Sequence, residues 1–343
     1  MDTTLPVTFK LGKIASFRVW FSSIWIFLFL FLGLVALSAT LLFHGQFHSD
    51  FQTVFSAVLG NLPAEDIANI VIIEFRIPRI LSCIIVGIGF GASGACLQTI
   101  TKNNIVSPGI IGVSQGAILG VLTAMFFLTN PSSQQLSIAG ISGALISGSL
   151  ILLIVGKNVN TLRLILVGMG LTLFMSACVS ILVTYADIDN AQGVLIWLSG
   201  GMHGANWSTL ISNTPIIFLS LFGILLLSRE ISFSALDFRL AIGLGVRSTL
   251  IKFFTLLLVT IMAAGSVSIA GPVGFVGLIA PHLSRFFFRN NQIEFILGAS
   301  LFGSLLVLIA DGVGRFAFAP IQIPAGILTA IIGVPFLLFL LKK

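Results

Sequence analysis

Long apolar runs separated by short polar stretches dominate the chain. Runs of spanning length fall at about 19–43, 80–100, 109–128, 138–155, 164–185, 210–228, 253–270, 272–288, 295–318 and 324–341. A membrane-crossing helix needs about 20 such residues. The pattern therefore predicts an all-α polytopic membrane protein with about ten transmembrane helices. The eighth run is short and carries Pro281, His282 and Arg285, and orientation decides in its favour. With it, both termini face the cytoplasm, as does every Lys and Arg except Arg76, Arg79 and Arg315. Without it, Arg285, Arg289, Lys342 and Lys343 would move outside, against the positive-inside bias. The chain reads as one transmembrane domain, 1–343, with a cytoplasmic N-terminal segment at 1–18 and a charged cytoplasmic segment at 229–252.

Outside the membrane the largest loop spans about 44–79 and includes an expected surface helix, Phe51–Leu59. The apolar segment Gly193–Gly204 is too short to span and ends in glycines, which fits a re-entrant or surface helix. Two neighbouring stretches stand apart. Arg229–Lys252 gathers Glu230, Asp237, Arg239, Arg247 and Lys252 in a protein that is only 8% charged. Gly271–Arg289 then places Gly271, Gly274 and Gly277 at every third residue between Pro272 and Pro281. Small residues at this spacing are expected on one helical face, where they let another backbone approach, with prolines interrupting the helix at both ends. Interrupted helices mark the moving or substrate-facing parts of transporters. The charged segment is thus expected to receive a push and the glycine segment to pass it into the membrane. Ser107–Gly116 and Ala270–Ile279 are similar Pro/Gly entrances on opposite membrane sides, as an inverted repeat requires.

Composition narrows the function classes. At 57% hydrophobic residues and mean hydropathy +1.13, the chain is not a soluble domain. The net charge of +6 does not indicate nucleic acid, because no Lys/Arg cluster is interleaved with aromatics. Cys83, Cys96 and Cys178 lie in apolar runs without metal-ligand spacing and read as packing residues. The uncharged run Val19–Phe43 exceeds the about 7–15 apolar residues of a signal peptide and reads as an uncleaved span.

No phosphate-binding loop, metalloprotease motif or nucleophile elbow occurs. The chain is therefore expected to have no catalytic residues, metal or cofactor, and any ATP hydrolysis belongs to another chain. His282 reads as a polar helix contact. An ion-coupled carrier needs a carboxylate near mid-membrane. Asp311 comes nearest, but Arg315 one turn later can pair with it. Arg315 therefore has two readings, a helix-end ion pair or an exposed docking point. Arg76 and Arg79 in RIPR either anchor a helix to headgroups or serve a partner.

Four stretches carry a resemblance: Glu74–Ala117, Leu236–Val246, Gly271–Arg285 and Ala310–Leu341. They resemble the iron-chelate and cobalamin uptake permeases of ABC importers, the FecCD type, in the family's order over nearly the whole chain. The resemblance implies a BtuC-like type II ABC importer permease fold in the bacterial cytoplasmic (inner) membrane. It also implies a dimer of permease subunits, identical or not, working with two cytoplasmic ATPases and an extracytoplasmic binding protein. Arg76, Arg79 and Arg315 then become binding-protein docking residues. Leu236, Asp237, Ala241, Gly243, Gly245 and Arg247 become ATPase-coupling residues, and Asn160, Thr161 and Leu162 the cytoplasmic gate. Leu162 departs from the small polar residue of a related cobalamin permease. Gly271, Pro272, Gly274, Gly277 and Pro281 form the expected packing and movement set. The segment Gly193–Trp207 looks more like the ferric-siderophore branch, so ferric siderophore is the expected substrate, with haem or cobalamin as alternatives. The pathway is expected to run along the fifth and tenth spans.

Overall fold

The structure, a computed structural model, describes residues 7–11, 15–19, 21–45, 50–109, 112–155, 161–185, 195–234, 248–288 and 291–341. Strands β1 (Val7–Leu11) and β2 (Ala15–Val19) form an antiparallel hairpin pairing Val7 with Val19. This hairpin is the one departure from helix among the described elements. The helices are α1 (Phe21–Phe43), α2 (Phe51–Val58), α3 (Ile67–Ile70), α4 (Ile77–Thr101), α5 (Val113–Phe127), α6 (Ser133–Val155) and α7 (Thr161–Thr184). They continue as α8 (Trp207–Leu226), α9 (Ser228–Ser234), α10 (Ser248–Ala270), α11 (Val276–Phe287), α12 (Gln292–Phe316) and α13 (Ala325–Leu341). The expected spans map in order onto α1, α4, α5, α6, α7, α8, α10, α11, α12 and α13. Seven of the helical stretches are long and apolar enough to cross a membrane. The α5 and α13 helices are shorter, with 15 and 17 residues, and α11 has only 12. At about 1.5 Å per residue, α11 covers only about 18 Å of the bilayer.

Helix α4 is the core. In the continuous helical stretch Ile67–Thr101, 83% of the most apolar window is buried, against 17% for α1 and 22% for α7. Lipid is as apolar as leucine, so helices gain little by hiding apolar side chains from it, and close van der Waals packing must hold them together. Small residues supply that packing. A Cβ on Gly91 would lie 2.2 Å from the Ala299 carbonyl oxygen, and one on Gly303 would lie 2.2 Å from that of Gly87. A Cβ on Gly94 would lie 2.0 Å from the Gly277 carbonyl oxygen of α11. The backbones of α4, α12 and α11 are therefore in contact. Across the first of these contacts, Ser304 Oγ donates to the Ile84 carbonyl at 2.8 Å.

The expected outer loop at 44–79 is largely helical. It contains α2, as expected, and also α3 and a wide turn, Val71–Arg76, that runs straight into α4. The expected second span therefore begins earlier than residue 80. Pro78 has no N–H for the Glu74 carbonyl, and widening the preceding turn accommodates it without a break. Trp207 Nε1 donates to the Ile73 carbonyl at 2.9 Å, so the start of α8 satisfies part of that irregular turn. Of the expected outer segment Gly193–Gly204, residues 195–198 form a helical turn.

At the opposite end, Arg285 of α11 donates to Asn104 and stacks 5.0 Å above the Phe295 ring, while Gln292 Nε2 donates to Thr99 Oγ1. The arginine assigned to the inside and those assigned to the outside lie at opposite ends of α4.

Candidate functional site

The outer ends of α1, α4 and α12 converge on a pocket of about 320 Å³. Gly45, Val71, Phe75, Arg76, Arg79, Arg315, Phe316 and Gln322 line it. Arg76 comes from the wide turn, is only 4% exposed and donates from Nη1 to the Leu42 carbonyl at 2.7 Å. Gly45 lets the chain leaving α1 pass over that guanidinium, because a Cβ there would lie 2.6 Å from Arg76 Nη2. Arg79, in the first turn of α4, grips Asp311 in a fork. Its Nε is 2.9 Å from Oδ2 and its Nη2 is 2.8 Å from Oδ1. Its Nη1 donates to Gln322 Oε1 at 2.9 Å.

Arg315 completes the group. Its guanidinium lies 5.4 Å from the Phe316 ring centre, and its buried Nη1 has no hydrogen-bond partner. The expected Asp311–Arg315 pair is thus replaced by Asp311–Arg79. Three guanidiniums against one carboxylate leave the pocket positive. His203 does not add to this charge near neutral pH, because burial, then the nearby Arg79, lower its pKa from 6.5, with Asp311 opposing.

The anticipated docking residues therefore lie together but in different states. Arg79 is engaged by an internal carboxylate, Arg76 is held by a backbone carbonyl, and Arg315 has a buried Nη1 without a hydrogen-bond partner. Sequence reading missed Gln322, and nothing in its neighbourhood signals it. It missed the Arg79–Asp311 bond as well, although the charge count alone posed the question of which arginine Asp311 serves.

The residues expected to couple to an ATPase, Leu236, Asp237, Ala241, Gly243, Gly245 and Arg247, lie outside the described residues, as does Asn160 of the expected gate. Thr161 is the first residue of α7, and Leu162 beside it is 65% exposed. The helix before the coupling residues, α9, packs against α10 and α4, and Glu230 Oε2 in it is buried without a hydrogen-bond partner.

The glycine segment differs from its expected form. Helix α11 begins only at Val276, so Gly271, Gly274 and Gly277 do not share a helical face. Gly271 sits in a left-handed turn, φ +67°, with its Cα hydrogen where a Cβ would lie 2.4 Å from the Trp197 carbonyl oxygen. Pro272 precedes the helix by four residues and Gly274 faces open space. Gly277 makes the expected close approach from within a helix, to Phe90 and Gly94 of α4, whereas Gly271 makes its approach from the turn. Pro281 lies inside α11 and does not end it. Gly201 N donates to the Ala270 carbonyl at 2.9 Å, and Gly326 N to the Gly200 carbonyl at 2.8 Å. The end of α10 and the start of α13 are thereby tied to the outer segment. Among the described residues, no three His, Cys, Asp or Glu side chains gather as metal ligands.

The FecCD transport family matches residues 20–343. The "Probable siderophore transport system permease protein YfhA" of Bacillus subtilis is 34% identical over 84% of this chain and 90% of its own length. The iron(3+)-hydroxamate import system permease protein FhuG of the same organism is 33% identical over 80% of this chain and 84% of its own. Among solved structures, "An inward-facing conformation of a putative metal-chelate type ABC transporter" matches with TM-score 0.82 and 32% identity, covering 93% of this chain and 99% of that one.

Proposed function

Because the chain belongs to the FecCD transport family, we propose that it is the transmembrane permease of an ATP-driven importer for ferric siderophore. The protein is a multi-pass subunit of the bacterial cytoplasmic membrane and not itself an enzyme. A binding protein outside hands over the iron chelate, and a second permease subunit completes a pathway along α7 and α13. Two cytoplasmic ATPase chains act through the segment between α9 and α10. The siderophore assignment follows the named substrates of the relatives.

The observation that carries the importer reading is the positive outer pocket, which gathers Arg76, Arg79 and Arg315 around the single carboxylate of Asp311. Acidic groups of a docking partner complement that charge, and charges so placed set encounter rate and orientation. An ion-coupled carrier is disfavoured by charge placement. Glu294 and Asp311, the buried carboxylates of α12, lie at its opposite ends, one bonded to Ser23 and the other to Arg79.

The test is uptake into proteoliposomes holding the assembled importer, using radioactive iron chelated by hydroxamate, citrate or catecholate ligands. Uptake of at least one chelate is expected to require ATP, to survive a protonophore, and to resist competition by haem and cobalamin. Competition by either, or uptake driven by an ion gradient alone, overturns the assignment.

A further inference from the structure

Helix α13, one of the two proposed pathway helices, is sparsely held. Beyond Gly333, no described residue of it is buried, and its main helix neighbours are α12 and α11. Gly333 itself is buried, and the nearest atoms over it belong to Phe275. A Cβ on Gly333 would lie 2.2 Å from Phe275 Cγ and 2.4 Å from its Cδ1, so the aromatic ring rests directly on the α13 backbone. One turn further, His282 of α11 and Phe336 of α13 meet edge to face at 5.3 Å.

Phe275 makes this contact from a costly backbone position. It caps the N-terminus of α11 with φ +63° and ψ −18°, a left-handed conformation that residues bearing a Cβ rarely adopt. Such strain persists only where the surroundings over-determine it, and it clusters at working parts of proteins. Here the Phe275 carbonyl accepts from Leu278 N and Ile279 N at 3.0 and 2.9 Å, starting the helix, while the ring is aimed at Gly333. Behind α11, Gly277 lies against Gly94 of the buried α4, so α11 is backed by the core of the protein and faces α13.

The related entrance repeats the device. Gly112 caps α5 at φ +86°, and a Cβ there would lie 3.1 Å from Thr172 Oγ1 and 3.2 Å from the Gly168 carbonyl oxygen of α7. Both pathway helices are thus seated on a left-handed cap of a preceding helix. The bulky partner differs: the threonine belongs to α7 in one seat, the phenylalanine to the cap in the other.

We infer that Phe275 is the positioning residue that seats α13 through Gly333, transmitting displacement of α11 to the translocation pathway. This rests on the reading of α13 as a pathway helix. A ring on a glycine is a steric contact with little give, because overfilling or emptying a packed site both misplace the elements it joins.

The experiment is a size-swap in the assembled importer in nanodiscs, comparing Phe275→Ala, Gly333→Ala and the double variant. Spin labels at the exposed positions Phe286 of α11 and Leu338 of α13 report the distance distribution between the two helices. Import of a radioactive ferric hydroxamate per ATP hydrolysed reports function in proteoliposomes. Each single variant is expected to broaden the distribution and lower import per ATP about fivefold or more. The double variant, whose new methyl refills the emptied site, is expected to return to within about twofold of the parent, a non-additivity expected of residues that share a packed site. Losses that add in the double variant, or a broadened distribution with unchanged import, overturn the proposal. Rescue of the distance distribution in an importer that takes up no iron chelate would sink the substrate reading and leave the seat standing.

Discussion

Single atoms decide several of the roles. Asp311 is 2% exposed and forked by Arg79, so Asp311→Asn leaves a guanidinium facing a neutral amide in a nearly dry site. Removing one partner of a buried pair costs about 3–5 kcal/mol. The melting temperature of the solubilised protein is expected to fall accordingly, whereas replacing both partners by apolar residues of similar volume should restore most of it. The glycines offer a sharper contrast. Gly94→Ala drives a methyl into the Gly277 carbonyl and, as overpacking, is expected to destabilise by about 1–3 kcal/mol or more. Gly274→Ala meets nothing within 4 Å and is expected to stay within about 0.5 kcal/mol of the parent. Equal losses in the two would contradict the packing described. The regular glycine spacing suggests the reverse importance for Gly274, because spacing reports a helical face only where a helix exists, and the helix starts two residues later.

At the scale of elements, hydrophobic pattern located the long spanning helices, since run length is what the bilayer demands, while the short α11 needed the charge asymmetry as well. It failed where backbone irregularity enters. The wide turn before Pro78 leaves no trace in hydropathy, and the left-handed Phe275 carries a side chain that nothing in sequence marks as strained. The close packing of α4 on α12 was legible in principle, because Gly87 and Gly91 face Ala299 and Gly303 with the same four-residue spacing. Trp207→Phe keeps the ring and loses the donor to the Ile73 carbonyl, with an expected cost of about 0.5–1.5 kcal/mol. Loss of amide-exchange protection confined to residues 67–76 would be its signature, and a global loss would argue against that local role. For the coupling segment, Gly245→Val is expected to leave binding-protein docking intact while abolishing its stimulation of ATP hydrolysis. Normal stimulated hydrolysis would remove Gly245 from the proposed coupling set.

For the whole molecule, the outer pocket is the proposed meeting place with the binding protein. Arg315→Glu is expected to weaken binding-protein association about tenfold or more at low salt, with the difference shrinking as ionic strength rises and membrane levels unchanged. Equal affinity at low salt would place docking elsewhere. The bond between Arg79 and Asp311 has a further consequence in time. The two residues are 232 positions apart, so at about 5–20 residues per second the ribosome needs roughly 12–46 s to supply the second after the first. Until α12 is made, the Gly87 and Gly91 face of α4 lacks its partner, and Arg79 relies on headgroups near the membrane edge. The core helix is therefore among the first made and the last completed. A chain stalled before α12 presents the membrane's proteases with an open groove and a solitary charge, marks by which an unfinished copy differs from a finished one.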